Sequence, residues 1–179
     1  MIRLTFDNSV RNDAFDKVDR HRGDPKMEAR VICAIKLREL YEKNPELIEI
    51  TCNDGEQFEP PEGGDTFKRT RGVGIWELRG FSEYGEVARV GDEHAPILER
   101  IREIMRPARD SVSSMKDYAV LCEHVVVGRD IFVSADEPKH LNKAPQLKEL
   151  DIIVKSAAET VDYLEQQYGF DFSGVTETR

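Results

Sequence analysis

Apolar positions in the first part of the chain change from a period of two to a period of about 3.6. Ile2, Leu4 and Phe6 alternate with polar residues, which predicts a strand that ends at Asp7. Farther along, apolar residues recur three and four positions apart. This spacing predicts a helix over 27–43 with one buried face.

The segments around this helix predict two further elements and an insertion. A short helix is predicted at Asp13–Val18 within a polar stretch, and Asn44-Pro45 is expected to end the longer helix. Leu47–Thr51 is typical of a second strand. Residues 58–92 show no clean period and are punctuated by Gly and Pro, which predicts an insertion into the domain.

The second half of the chain alternates helices with short apolar runs. The predicted elements are a helix from Asp92 to Pro107, a helix from Asp117 to Gly128, strands at Ile131–Val133 and Ile152–Val154, and a helix from Ser156 to Gly169. Continuous apolar runs are typical of parallel strands buried on both faces. The last helix starts with a Ser-x-x-Glu capping box. This alternation predicts an α/β fold whose mostly parallel central sheet is flanked by helices.

The size and charge of the chain narrow its organisation. With 179 residues it fits a single domain over 1–168, followed by a frayed tail over 169–179. Lys and Arg number 26 against 35 Asp and Glu, which gives a net charge of −9 and argues against indiscriminate coating of nucleic acid. A local basic groove, or clustered carboxylates that bind a divalent metal, remains compatible with this charge.

The expected compartment of the protein, and whether it contacts a membrane, are inferred from features that the sequence lacks. It has no long apolar run, so we expect no transmembrane helix, and its first ten residues do not resemble a signal peptide. Cys33, Cys52 and Cys122 are far apart and odd in number, which predicts neither a disulfide framework nor a zinc motif. We therefore expect a cytoplasmic protein without a membrane partner.

Acidic residues follow the predicted strands. Asp7 follows the first, Asp54 and Glu56 follow the second, Asp136 follows the third, and Asp117 lies near the start of the preceding helix. Such a cluster repels itself unless it holds a cation, and its hard oxygen ligands suit Mg²⁺ or Mn²⁺. The natural chemistry is hydrolysis by metal-activated water. For any single acid, the alternative is a turn or cap residue.

Several segments resemble the PIN-domain family, in particular its larger members. Residues 117–136 have the pattern of an Asp that opens a helix, a Gly, an Asp, an apolar strand and then Ser-x-Asp. Leu4–Val10 resembles the family's opening strand, and Ile152–Leu164 resembles its closing strand and helix. The helix and strand over 27–51 complete the resemblance.

The resemblance implies a metal-dependent nuclease, because PIN domains are typically Mg²⁺- or Mn²⁺-dependent ribonucleases. It assigns Asp7, Asp117 and Asp136 to the catalytic metal site. It also assigns supporting roles to Ser9 and Ser134, with the Ser134 hydroxyl orienting the carboxylate of Asp136. The expected substrate is RNA, either single-stranded or structured, while a homodimer and a protein inhibitor are left open.

The family's fourth acid has no clear equivalent, because the usual Glu-Leu context after the second strand is missing. Glu56 is chosen as a catalytic residue by position, and Asp54, Glu59 and Glu77 remain rivals. A basic cluster within the insertion is a candidate for phosphate binding, and its alternative is a solvated surface. It consists of Lys68, Arg69 and Arg71.

Two other functions remain open. A PIN-fold binding or scaffold module would retain the fold with an incomplete set of acids. A phosphatase or receiver-like domain also gathers acids at strand ends, and Lys155 lies where a receiver domain carries its lysine. Among the histidines, His124 is expected to be a packed or partly exposed helix residue rather than a metal ligand, and His140 is isolated from any metal-binding spacing.

Overall fold

The computed structural model describes residues 1–52, 94–107 and 112–173. Its elements, in chain order, are β1 Ile2–Phe6, α1 Asn8–Ala14, a 3₁₀ turn Val18–His21, α2 Pro25–Lys43, β2 Ile48–Cys52, α3 Ala95–Met105, α4 Val112–Val126, β3 Ile131–Val133, a 3₁₀ turn Leu141–Lys143, α5 Ala144–Lys148, β4 Val154–Lys155 and α6 Ala157–Tyr168. The predicted insertion at 58–92 lies outside the described residues.

The four strands form one parallel sheet in the order β2-β1-β3-β4. Leu4 of β1 pairs with Ile50 on one side and with Ile131 on the other, so β1 lies inside the sheet. Because all strands are parallel, their carboxyl ends meet at one edge. The predicted α/β class with a parallel sheet is confirmed.

Helices cover both faces of the sheet, and β3 divides the core between them. Ile131 and Val133 pack on one side, in a cluster that includes apolar residues of α1, α2 and α6. Phe132 points to the opposite side and packs with residues of α3, α4 and α5. All three residues are buried, as predicted for a central parallel strand.

Most predicted elements lie within a few residues of their observed bounds, and three boundaries have clear local causes. Asn44 ends α2 where its backbone N–H donates to Leu40. At the start of α6, Ser156 and Glu159 form the predicted capping box in full. Gly169 closes that helix with a φ of 70°, a left-handed conformation that favours glycine.

Three boundary predictions are wrong. The first short helix is Asn8–Ala14 rather than Asp13–Val18, because Asp7 caps it directly after β1. Helix α4 begins at Val112 instead of Asp117. Its first turn contains no Gly or Pro, so nothing prevents the helix from starting before Asp117. β4 is limited to Val154–Lys155, although the carbonyl of Ile153 already accepts a hydrogen bond from Phe132.

The end of the described chain packs on the core. Phe172 is 2% exposed and belongs to the cluster beneath β1, although it falls within the segment predicted to be frayed. Cys33, Cys52 and Cys122, all within the described residues, form no disulfide. None of the helices in the described ranges combines the length and apolar character needed to span a membrane.

Candidate active site

Asp7 combines a helix cap with a position at the carboxyl end of β1. Its backbone is extended, and its Oδ1 accepts hydrogen bonds from the Val10 amide at 3.0 Å and the Ser9 hydroxyl at 2.5 Å. The residue is 6% exposed. The Ser9 hydroxyl therefore helps to hold the Asp7 carboxylate in place.

The second oxygen of Asp7 joins β1 to the end of β3. Asp7 Oδ2 accepts hydrogen bonds from the Ser134 hydroxyl and from the Ala135 amide. Ser134 Oγ in turn accepts the amide of Asp136 at 3.0 Å. The hydroxyl was predicted to orient the Asp136 carboxylate; it instead binds the Asp7 carboxylate and the Asp136 backbone, because β1 and β3 are adjacent strands.

Asp117 and Asp136 share a cation supplied by the chain itself. The ammonium of Lys139 lies 2.7 Å from Asp117 Oδ2 and 3.5 Å from Asp136 Oδ2. The hydrogen bond to Asp117 is the main cause that raises the pKa of Lys139. We call Asp7, Asp117, Ser134, Asp136 and Lys139 the acid centre. Sequence reasoning missed Lys139, because a lysine in a turn carries no signal of its partners.

His140 is a second residue that sequence reasoning missed. It is 2% exposed, its Nδ1 lies 2.9 Å from Ser134 Oγ, and its ring packs edge-on against Phe132. Since Ser134 donates its proton to Asp7, the histidine nitrogen acts as the donor in this contact. His140 thus fixes the hydroxyl that connects Asp7 with Asp136. In the sequence, only its place four residues after Asp136 connects His140 with a predicted site residue.

His124 lies below the acid centre and has a structural role. It is 2% exposed, and its Nδ1 lies 2.8 Å from the hydroxyl of Thr5 on β1. Burial lowers the pKa of His124 to about 3, and the nearby Arg129 guanidinium contributes to this shift. The prediction that His124 is a packed helix residue is confirmed.

A cleft of about 900 Å³ opens beside the acid centre. Its lining includes Lys26 and Arg30 near the start of α2 and residues 156–159 at the start of α6. Ser134 and Asp136 of the acid centre also line it. Lys26 pairs with Glu137 at 2.7 Å. This volume is in the range of small-molecule binding sites.

Asp13 forms a buried ion pair at the same end of the molecule. Arg30 Nη2 donates a hydrogen bond to Asp13 Oδ1 at 3.0 Å, and Arg30 Nε lies 2.7 Å from Asp13 Oδ2. Asp13 is 6% exposed. Burial nevertheless raises the pKa of Asp13, and the negative charge of Asp7 adds to this effect. Asp13 was predicted to begin a short helix within a polar stretch, and its pairing with Arg30 was not predicted.

The acid centre offers the oxygen donors that suit a hard cation. The carboxylates of Asp117 and Asp136 share one positive charge, that of the Lys139 ammonium. Asp7 is bonded to donors through both oxygens. Within the described part of the chain, no three Asp, Glu, His or Cys side chains are arranged to hold a metal ion.

The remaining candidates are the fourth acid, the basic cluster and Lys155. Glu56 and its rivals Asp54, Glu59 and Glu77, and the basic residues Lys68, Arg69 and Arg71, fall outside the described residues. Lys155, on which the receiver-like alternative depended, has its ammonium 5.1 Å from the centre of the Tyr163 ring on α6. This cation–π contact accounts for the position of Lys155 without a role at the acid centre.

No family model matches the chain, and comparisons with curated proteins and with solved structures likewise find no match.

Proposed function

We propose that this protein is a Mg²⁺- or Mn²⁺-dependent nuclease of the PIN type that hydrolyses phosphodiester bonds in RNA. The observation that carries the proposal is the convergence of Asp7, Asp117 and Asp136 on one edge of the sheet. The three acids are far apart in sequence and come from β1, α4 and the segment after β3. Short contacts through Ser134 and Lys139 connect them.

The acids have different tasks in this proposal. Asp117 and Asp136 would hold the metal ion, and Asp7 is linked to Asp136 through the Ser134 hydroxyl. When bound, the ion supplies Lewis-acid activation of water and of the scissile phosphate. Ser9, Ser134 and the backbone amides fix the carboxylate of Asp7, so this acid needs little rearrangement before reaction. His140 fixes Ser134 from the buried side.

The cleft provides room for the substrate beside the acids. Nucleotides that flank the scissile phosphate would lie between the start of α2 and the start of α6, with Asp136 at the boundary between cleft and acid centre. Lys68, Arg69 and Arg71 remain the proposed phosphate contacts from the insertion. The overall negative charge means that such local cations would have to offset the repulsion of RNA.

The test is cleavage of single-stranded RNA by the purified full-length chain with Mg²⁺ or Mn²⁺, compared with the same reaction in chelator. Asp117→Asn and Asp136→Asn should each reduce the rate by at least ~10²-fold, because metal stabilisation of the transition state is worth several kcal/mol. Asp162→Asn removes an exposed carboxylate from α6 and should leave the rate unchanged. Equal rates in metal and in chelator would contradict the proposal.

A binding or scaffold module without catalysis is the second candidate. It is favoured by the saturated hydrogen bonding of Asp7 and by the Lys139 ammonium between the other two acids. Wild-type protein that cleaves neither RNA nor DNA with either metal, and whose melting temperature does not change on metal addition, would support this candidate.

A further inference from the structure

Lys139 is held at the acid centre by its own backbone. Its amide donates to Asp136 Oδ1 at 3.0 Å, and the next amide, that of His140, donates to the Asp136 carbonyl at 3.0 Å. The buried His140 ring anchors this turn against Phe132. These contacts fix the Cα of Lys139 beside Asp136, and the side chain then reaches both carboxylates.

The charges of the neighbouring side chains explain why a lysine at this position is favourable. Two carboxylates at one edge repel each other, and a cation between them removes the repulsion. The Lys139 ammonium satisfies this need with one positive charge and contacts both acids. Its side chain is 39% exposed, so it has a path into solvent.

We propose that Lys139 is the resident cation of the Asp117–Asp136 pair, and that a divalent metal ion binds these two acids only by displacing its ammonium. This inference rests on the proposed function, because it concerns the metal ion of the proposed nuclease. Both cations need the same carboxylate oxygens, and a dication beside an ammonium is repelled. Lys139 therefore sets the metal concentration at which the acid centre loads.

The experiment compares Mn²⁺ binding by the wild-type chain and by Lys139→Met, without RNA, using calorimetry or the electron paramagnetic resonance of free Mn²⁺. Methionine keeps much of the side-chain length but removes the charge. We expect Lys139→Met to bind Mn²⁺ about tenfold more tightly, which corresponds to the removal of ~1.4 kcal/mol of competition. Lys139→Arg keeps the charge and should bind as weakly as the wild type.

Lys26→Met is the matched control for general electrostatics. Lys26 lines the same cleft but pairs with Glu137, so its loss should not reproduce the gain in Mn²⁺ affinity. In chelator, Lys139→Met should melt at a lower temperature than the wild type. Addition of Asp117→Asn to Lys139→Met should raise the melting temperature again, because it removes the repulsion between the two carboxylates that Lys139 no longer compensates.

Three results would overturn the inference: equal Mn²⁺ affinity of Lys139→Met and wild type, the same gain in Lys26→Met, or no Mn²⁺ binding by either protein. The proposed nuclease function fails separately. A tenfold gain in affinity together with an inability to cleave RNA would leave Lys139 as the resident cation and refute only the nuclease.

Discussion

Single residues at the acid centre serve the fold and the proposed chemistry at once. Asp7 caps α1 through Oδ1 and ties β1 to the end of β3 through Oδ2. A carboxylate with four donors is held rigidly, and its removal leaves those donors without a partner. Substitutions here therefore change stability as well as activity, and the two effects must be measured separately.

Asp7→Ala tests the cap directly. Loss of a capping side chain costs about 1 kcal/mol, and the unsatisfied Ser134 and amide donors add to that loss. We expect urea denaturation to show a loss of at least ~1–2 kcal/mol for Asp7→Ala. Asp7→Asn retains an oxygen acceptor for the cap and should lose less. Equal stability of Asp7→Ala and wild type would contradict the capping role.

Arg30→Met tests the buried pair with Asp13. Removal of one partner of a buried ion pair costs about 3–5 kcal/mol, and Arg30 is partly exposed, so we expect about 2–3 kcal/mol. The double variant Arg30→Met with Asp13→Asn should recover part of this loss, because it removes the uncompensated charge. Urea denaturation of the two variants gives the comparison, and no recovery would contradict the pairing.

His124 should make the stability of the fold depend on pH. Its pKa in the folded protein is lowered to about 3, so between pH 3 and the unfolded value of about 6.5 the unfolded chain binds the extra proton. Stability therefore falls as the pH drops below 6.5, by up to about 1.4 kcal/mol per pH unit from this group.

His124→Asn isolates that contribution. Asparagine keeps an acceptor for the Thr5 hydroxyl but does not titrate in this range. Urea denaturation at pH 7 and pH 5 should show a smaller loss on acidification for His124→Asn than for wild type. The carboxylates affect both proteins equally, so parallel pH profiles would show that His124 is not buried in its neutral form.

At the scale of elements, local sequence signals were sufficient where the cause of a boundary is local. Ser156 and Gly169 lie directly at the two ends of α6, and both boundaries of this helix are close to their predicted positions. The predicted start of α4 at Asp117 was wrong, since the motif that suggested it resembles a cap but no breaker precedes it.

The acid centre likewise has a part that local sequence signals predicted and a part that depends on the tertiary structure. Acids after strand ends can be found from the sequence, because the parallel sheet gathers those ends. The partners of Ser134, Lys139 and His140 depend on which strands are neighbours and how one turn is folded. That information arises only in the tertiary structure.

Ser156→Ala tests the capping box of α6. We expect a loss of about 1 kcal/mol, because the Glu159 amide loses its acceptor and the reciprocal contact from the Glu159 carboxylate is weakened. Gln166→Ala, at an exposed position in the same helix, should stay within about 0.5 kcal/mol of wild type. Equal losses in the two variants would argue against a specific cap.

At the scale of the whole molecule, residues from the beginning and the end of the described chain pack in one hydrophobic cluster. Phe172 packs in the cluster that contains Leu4 and Phe6 of β1, below the edge that carries Asp7. The C-terminal segment thereby supports the central strand. The acid centre is built on a strand whose position depends on residues far away in sequence.

Phe172→Ala should therefore destabilise the entire fold. Substitution of a buried Phe by Ala costs about 3–5 kcal/mol through lost burial and the remaining cavity. Phe172→Leu keeps most of the apolar volume and should cost much less. Thermal unfolding of both variants gives the measurement, and a small effect of Phe172→Ala would place this segment outside the cooperative core.

The position of β1 inside the sheet also determines when the molecule can be assembled during synthesis. Contacts between β1 and β2 and between α1 and α2 lie within the first 52 residues and can form early. The hydrogen bond from Ser134 to Asp7 spans 127 positions, so the ribosome must make the second half of the chain before this bond exists. Long-range closure of this kind slows folding and leaves one edge of β1 open in a nascent chain. A partly synthesised molecule thus carries Asp7 with the local donors of Ser9 and Val10 but without those of Ser134 and Ala135. The acid centre is complete only after β3 has joined the sheet.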